Sequence, residues 1–271
     1  MKWGIKMKNK RFLKGTLVLG LITSLCMAVT ACAESKDKGK SDSKDTLVVG
    51  FDDTFVPMGF KDDNGEYAGF DIEVAKAVAE KMGKTFEFQP IDWTMKESEL
   101  NNGNIDMIWN GYSVTDERKE KVSFSKSYLK SRQVIITLKD SKIKSKEDLK
   151  GKVVGAQDQS SAIDAIGTYK SNFKELVTFE TNDQALRDLE AGRCDAVVAD
   201  EVLSRYYITI KGEEKYNILD DNFGEEEYAV GVRKEDKEFL NKLNSAYDEV
   251  AADGKLTEIS KKWFGTDITL K

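Results

Sequence analysis

Three short stretches carry side chains able to hold a small charged molecule. In Gly111-Tyr112-Ser113-Val114-Thr115-Asp116-Glu117-Arg118, the arginine brings a planar fork. That fork can take a carboxylate through two parallel hydrogen bonds, which a lysine ammonium cannot do. Gly111 lets a main chain approach closely, and Ser113 adds a hydroxyl. The plainer alternative is that Thr-Asp-Glu-Arg-Lys-Glu-Lys opens a solvated helix and Arg118 pairs at its surface. Gln157-Asp158-Gln159-Ser160-Ser161 follows a strand-like run and opens a helical one. Free N–H groups and the helix dipole make such an end an anion site; a serine there is equally an ordinary N-cap. Asp200 ends the run Cys194-Asp-Ala-Val-Val-Ala-Asp200. An acid at a strand's C-terminal end can accept from a cation, or it can cap a helix that begins near Glu201.

The bulk of the chain removes other chemistries. It has 271 residues, a formal net charge of −6 and no histidine. The usual general base and the commonest metal ligand are therefore missing. Cys26, Cys32 and Cys194 are the three cysteines. They form no CxxC pair, so no zinc site and no other metal site is expected, and no cofactor is called for. Cys194 reads as a small buried residue. The acidic balance argues against nucleic acid as a partner, because a phosphate-binding surface needs clustered Lys and Arg.

The first 31 residues read as an address. Lys2, Lys6, Lys8, Lys10, Arg11 and Lys14 precede an apolar or small run from Gly15 to Ala31. That is the pattern of a secretory signal, and it is complete from Met7 as well as from Met1. The run is short for a membrane span of about 20 residues. Val29-Thr30-Ala31-Cys32 resembles the bacterial lipobox, which implies cleavage before Cys32, a lipid on its sulfur, and an extracytoplasmic protein held at the cell membrane. Residues 32–45 lack large apolar side chains and are expected to form a flexible tether.

The candidate residues need elements to position them. Thr46–Phe51, Phe86–Ile91 and Ile105–Asn110 read as strands, and Ala75, Val78, Ala79 and Met82 share one helical face. Asp71 can cap that helix and Gly83 end it. The pattern then restarts. Gln133–Leu138, Val153–Gln157, Val177–Glu180, Asp195–Ala199 and Tyr228–Arg233 read as strands. Helices are expected from Ser160 or Ser161 to about Tyr169, over Asp183–Glu190, Glu235–Asp253 and Leu256–Phe264. Strands alternating with helices imply an α/β chain with mainly parallel sheets. Two similar sets without a linker suggest two lobes with a hinge and a cleft; one large sheet is the alternative.

Several short motifs occur in a familiar order: Phe55-Val56-Pro57, Gly69-Phe70-Asp71, Gly103-x-Ile105-Asp106, Gly111-x-Ser113-x-Thr115-x-Glu117-Arg118, Val122-x-Phe124-Ser125 and Trp263-Phe264-Gly265. Over Thr46 to Gly265 the chain resembles the polar-amino-acid type of bacterial extracellular solute-binding proteins, family 3. The resemblance implies a two-lobed periplasmic-binding-protein type II fold with a hinge and a central ligand cleft. It puts residues 46–132 plus 228–271 in one lobe and 133–227 in the other. It also implies a monomer that captures a polar amino acid, such as glutamine or cystine, and passes it to an ABC permease.

The same resemblance distributes roles. Gly111, Ser113 and Arg118 match positions that grip the ligand's α-carboxylate, joined by Ser160 and Ser161 from the other lobe. The family usually has glycine where this chain has Gln159. Asp200 matches the aspartate that accepts the α-ammonium. Phe55 and Trp93 match aromatic positions that sandwich the ligand's side chain. Asp52 matches a position that bonds a polar side chain, and Gln157 sits where some members carry a cationic or amide residue. Asn110 and Tyr112, with Trp109, complete the side-chain pocket or pack the lobe. The competing classes are an enzyme on the same fold, such as a dehydratase or a lytic transglycosylase, and a ligand sensor. Against the enzyme stand the missing histidine, nucleophile elbow and metal set.

Overall fold

The computed structural model describes residues 41–270; Cys32 and the segment before it lie outside the described residues. In chain order the strands are β1 (Thr46–Phe51), β2 (Thr54–Phe55), β3 (Gly59–Lys61), β4 (Tyr67–Ala68), β5 (Thr85–Pro90), β6 (Met107–Ile108), β7 (Ser123–Phe124), β8 (Leu129–Leu138), β9 (Val153–Gln157), β10 (Glu175–Phe179), β11 (Ala196–Asp200), β12 (Tyr216–Tyr228) and β13 (Gly231–Val232). The helices are α1 (Phe70–Met82), α2 (Lys96–Asn102), α3 (Asp116–Lys121), α4 (Ser161–Ile166), α5 (Asn182–Glu190), α6 (Glu201–Lys211), α7 (Lys237–Ala252) and α8 (Lys255–Phe264).

These elements build two lobes, each around its own five-stranded sheet. The first sheet runs β5-β1-β6-β13-β7 and the second β10-β9-β11-β8-β12. β1 lies parallel to β5 and β6, and β9 parallel to β10 and β11. β11 is buried along its whole length, which explains its apolar run Ala196-Val-Val-Ala199 before Asp200: a strand covered on both faces has no polar side to show. Two separate sheets replace the single-sheet alternative. The long strands β8 and β12 pair antiparallel from Leu129↔Tyr228 to Leu138↔Tyr216, with register shifts around Asn222. Tyr228 also bridges to Ser113 of the first lobe. This ladder is the connection between the lobes.

Local chemistry explains most boundaries. α1 buries Ala75, Val78 and Ala79 against α7 and α8. It ends at Gly83, whose φ of 62° is left-handed and whose N–H returns to the last turn, as a C-terminal glycine does. Its start differs from expectation. Gly69 occupies the cap position and Asp71 lies inside the first turn, 1% exposed. Asp71 accepts from the Gly111 N–H at 2.6 Å and from the Tyr128 hydroxyl at 2.9 Å, so a tertiary partner has claimed the carboxylate. Burial lifts its pKa to about 7. The helix expected to run to Tyr169 is also shorter: α4 has six residues and gives way to a 3-10 turn from Gly167 to Asn172. The strand expected over Ile105–Asn110 narrows to Met107–Ile108, although the Asp106 and Trp109 N–H groups still bond the Val48 and Gly50 carbonyls of β1.

Of the expected tether, residues 41–45 are described, and they are held against the first lobe. Ser41 is fully buried. Its hydroxyl lies 3.1 Å from Asp106 and 2.8 Å from Asp236, and it accepts from Arg233. Lys44 adds a 2.7 Å ion pair to Asp106. A segment without apolar side chains has found a polar core to join.

Candidate functional site

Arg118 turns inward from a helix whose other residues face water. In α3 its neighbours on both sides are exposed, while Arg118 is 4% exposed. Thr115 accepts the Arg118 N–H at 3.2 Å and starts the helix there, which sets the guanidinium at the N-terminal end. Nη1 donates to the Ser113 carbonyl at 3.0 Å and Nη2 to the Gln159 carbonyl at 3.3 Å. The guanidinium carbon stands 4.6 Å from the centre of the Tyr112 ring, within cation–π range. No carboxylate pairs with it among the described residues. The surface-pairing alternative for Arg118 is therefore replaced by a buried cation at the seam between the lobes.

Sequence reasoning missed the second cation beside it. Lys96 opens α2 and is 2% exposed. Its ammonium donates to the Trp93 carbonyl and to the Gln159 carbonyl, both at 3.1 Å, and lies 3.5 Å from Glu97. Burial first, and then the nearby Arg118 charge, lower its pKa to about 8. In Lys-Glu-Ser-Glu-Leu-Asn-Asn nothing marks this lysine as buried. Gln159 explains why two cations meet one carbonyl. Its φ is +50°, the left-handed conformation that glycine enters freely and other residues rarely adopt. The chain keeps the turn without the glycine, and the turned-out carbonyl meets both charges.

The expected residues divide into three groups. Ser113, Ser161 and Arg118 meet at the seam: the Ser113 hydroxyl donates to Ser161 Oγ at 2.9 Å. Ser160 holds the N-cap position of α4 without capping it, its hydroxyl donating instead to the Gln157 carbonyl at 2.8 Å. Asp52 and Gln157 meet directly across the lobes at 2.8 Å. The Asp52 carboxylate also accepts from the Thr54 N–H and hydroxyl, and Gln157 accepts from Asn182 at 2.9 Å. Burial raises the Asp52 pKa against these bonds. Asn110 fixes this corner by accepting the Asp52 N–H at 3.1 Å, and its own amide nitrogen has no partner. Asp200 accepts from the Tyr228 hydroxyl at 2.6 Å. Burial, and then the adjacent Glu226 carboxylate, push its pKa well up.

The aromatic residues form the walls. The Phe55 ring presses on Gly111: a Cβ added there would stand 2.8 Å from Phe55 and 3.2 Å from Tyr228, and φ is +54°. Gly111 thus permits close packing, while its N–H is already bonded to Asp71. Trp93 packs edge-on to Tyr112 at 5.9 Å, and Tyr112 donates to Glu97 at 2.9 Å. Phe55 and Trp93 make no ring contact with each other among the described residues. Trp109 lies in the core against Tyr128, so it packs the lobe. Cys194 is buried on the far side, against Gly155.

The arrangement is a polar seam in which the first lobe brings Arg118, Lys96 and Asp52 and the second brings Asp200, joined by serine and amide side chains. Such a set can hold a zwitterion by its two ends.

Comparison with known proteins shows what the chain is similar to in family and fold. Residues 47–266 match the model of the bacterial extracellular solute-binding proteins, family 3. The chain is 30% identical to the L-cystine-binding protein TcyJ of Escherichia coli K12, over 96% of this chain and 97% of that one. It is 30% identical to the arginine-binding extracellular protein ArtP of Bacillus subtilis, over 93% and 98%. Among solved structures it resembles an ABC uptake transporter substrate-binding protein from Streptococcus pneumoniae with bound histidine. That likeness has a TM-score of 0.83 and 46% identity, and covers 86% of this chain and 97% of that one.

Proposed function

The chain belongs to the bacterial extracellular solute-binding proteins, family 3, and from that membership we propose that it captures a polar L-amino acid between its lobes and delivers it to an ABC permease. One observation carries the reading. Arg118 is buried at the seam with two carbonyls and no carboxylate. A buried charge without a counter-ion costs several kcal/mol, and the carboxylate of an entering amino acid offsets that cost. Ser113 and Ser161 meet beside it, and Asp200 faces the ammonium. Asp52, Gln157, Asn110, Phe55, Trp93 and Tyr112 surround the side chain. The named relatives cited above bind cystine and arginine, and the pneumococcal structure holds histidine; these three amino acids and glutamine are the first candidates.

In this reading residues 46–132 with 228–271 form one lobe and 133–227 the other. Leu129 and Tyr228, where β8 and β12 meet, support that division. A ligand bonded to both lobes favours the closed form by its differential affinity. The protein acts as a monomeric carrier and not as an enzyme, is anchored by lipid at Cys32, and needs no cofactor, metal or nucleic acid.

Calorimetry with L-histidine, L-arginine, L-glutamine and L-cystine tests the proposal. One of them should bind at one per chain and be recovered unchanged after overnight incubation. Turnover of the bound compound would favour a dehydratase-like enzyme instead. For the anchor, Cys32→Ala should release the protein from the membrane fraction or leave it unprocessed. Retention at the processed size would remove the lipid from the account.

A further inference from the structure

The wall that holds Asp200 carries a second carboxylate that the sequence pattern did not single out. Glu226 lies on β12, and Gln133 stands on its partner strand β8. Gln133 Nε2 donates to Glu226 Oε1 at 2.8 Å and to Ser161 Oγ at 3.1 Å. Ser161 in turn accepts the Ser113 hydroxyl at 2.9 Å, which ties the group to the seam between the lobes. Gln133 also stands opposite Asp200 in the β8–β11 pairing, so the residue that holds Glu226 neighbours Asp200 as well. Two neighbouring buried carboxyls do not both stay charged unless a cation or a proton lies between them.

The acceptors in this cluster are left open. Gln133 is 2% exposed, and its Oε1 has no hydrogen-bond partner. Glu226 Oε2 is likewise buried and without one. Of the donors at hand, Gln133 Nε2 serves Glu226 and Ser161 and the Tyr228 hydroxyl serves Asp200, which leaves the single buried hydroxyl of Ser131, opposite Glu226 in the ladder, against several open acceptors. What remains is a set of three side chains offering oxygen acceptors. An ammonium has three donors and no acceptor, and it neutralises one of two facing carboxylates. An amide, hydroxyl or carboxylate ligand group satisfies this set less completely.

We infer that Glu226, oriented by Gln133, is a second binding residue for the ligand's ammonium, shared with Asp200. The inference rests on the amino-acid reading above and extends it. It assigns the ammonium two carboxylates on two strands: Asp200 at the end of β11 and Glu226 on the ladder that joins the lobes. Ligand capture then bears directly on that ladder.

The test is calorimetry on the whole mature protein with paired probes. These are L-histidine and imidazolepropionate, L-arginine and 5-guanidinopentanoate, and L-glutamine and glutaramate. The members of each pair differ only by the α-ammonium. Glu226→Gln keeps the shape and the bond to Gln133 while removing the charge. It should weaken the tightest-binding amino acid by roughly tenfold or more, as loss of a charge-assisted bond does. The deaminated partner should bind it at least as well as it binds wild type. Asp200→Asn is measured beside it. If Glu226→Gln stays within about twofold of wild type while Asp200→Asn is weakened, the amino-acid reading stands and the role of Glu226 is lost. If Glu226→Gln loses both members of a pair equally, Glu226 is a structural residue and the inference is wrong. If Asp200→Asn is also indifferent to the ammonium, the underlying reading of the site fails with it.

Discussion

Arg233 and Arg118 are buried to nearly the same degree, 5% and 4% exposed, and the protein compensates them in opposite ways. Arg233 bonds Asp236 and Asp106 at 3.0 Å and the Leu100 and Ile105 carbonyls at 3.2 and 2.8 Å. Ser41 and Lys44 close the group. Against the cost of burial, the bonds from Lys44 and Arg233 hold the Asp106 carboxyl below its ordinary pKa. Every charge there has an internal answer. Arg118 hydrogen-bonds two carbonyl oxygens and lies over the Tyr112 ring, it has no ion pair among the described residues, and the charge of Lys96 acts on the same place. A buried arginine complete within the chain belongs to the fold. One without an ion pair is the residue to which the proposed function assigns the ligand's carboxylate. The contrast rests on partners, since burial alone does not separate the two.

The largest effect should come from breaking the complete cluster. Arg233→Ala leaves Asp236 without its cation and Asp106 with Lys44 alone, a loss of about 3–5 kcal/mol. Thermal unfolding followed by circular dichroism should fall by roughly 10 °C or more, with amino-acid affinity measured well below the transition little changed. Next comes Arg118→Ala. Two bonds to a ligand carboxylate, each about 1.5–3 kcal/mol and not fully additive, correspond to a loss of roughly a hundredfold or more in calorimetric affinity, at a melting temperature near that of wild type. A melting temperature that falls as far as in Arg233→Ala, with affinity within about threefold, would erase the distinction between the two arginines. The smallest effect is Arg118→Lys, which restores the charge without the fork and should recover part of the loss, leaving roughly a tenfold deficit.

The parts legible beforehand are those where one local rule acts alone. The apolar face of α1, the stop at Gly83 and the buried strand β11 follow from periodicity, left-handed glycine and burial. Arg118, Asp52 and Asp200 could be named because residue type, position and motif order agreed. Three features were hidden for identifiable reasons. Lys96 lies in a polar heptapeptide whose pattern is that of a solvated helix, and only the facing lobe buries it. β12, with Asp220, Asp221, Glu225, Glu226 and Glu227, shows little of the alternation expected of a strand, because its residues line a lobe junction and not a core. Asp71 sits where a cap is common, and its true partner, Gly111, is 40 residues away. Tertiary partners decided all three.

The burial of Ser41 has a mechanical consequence. Its hydroxyl is bonded to Asp106, next to β6, and to Arg233 and Asp236, which follow β13. A force applied at residue 41 therefore enters the molecule through the floor of the first lobe. It does not pass along β8 and β12, so tension at that end leaves the ladder between the lobes unloaded. Under the lipid anchor and lobe closure proposed above, the first lobe is the moored part and the second the part that swings. Pulling on residue 41 and on the second lobe should accordingly stretch the ladder, whereas pulling between residue 41 and α7 should not.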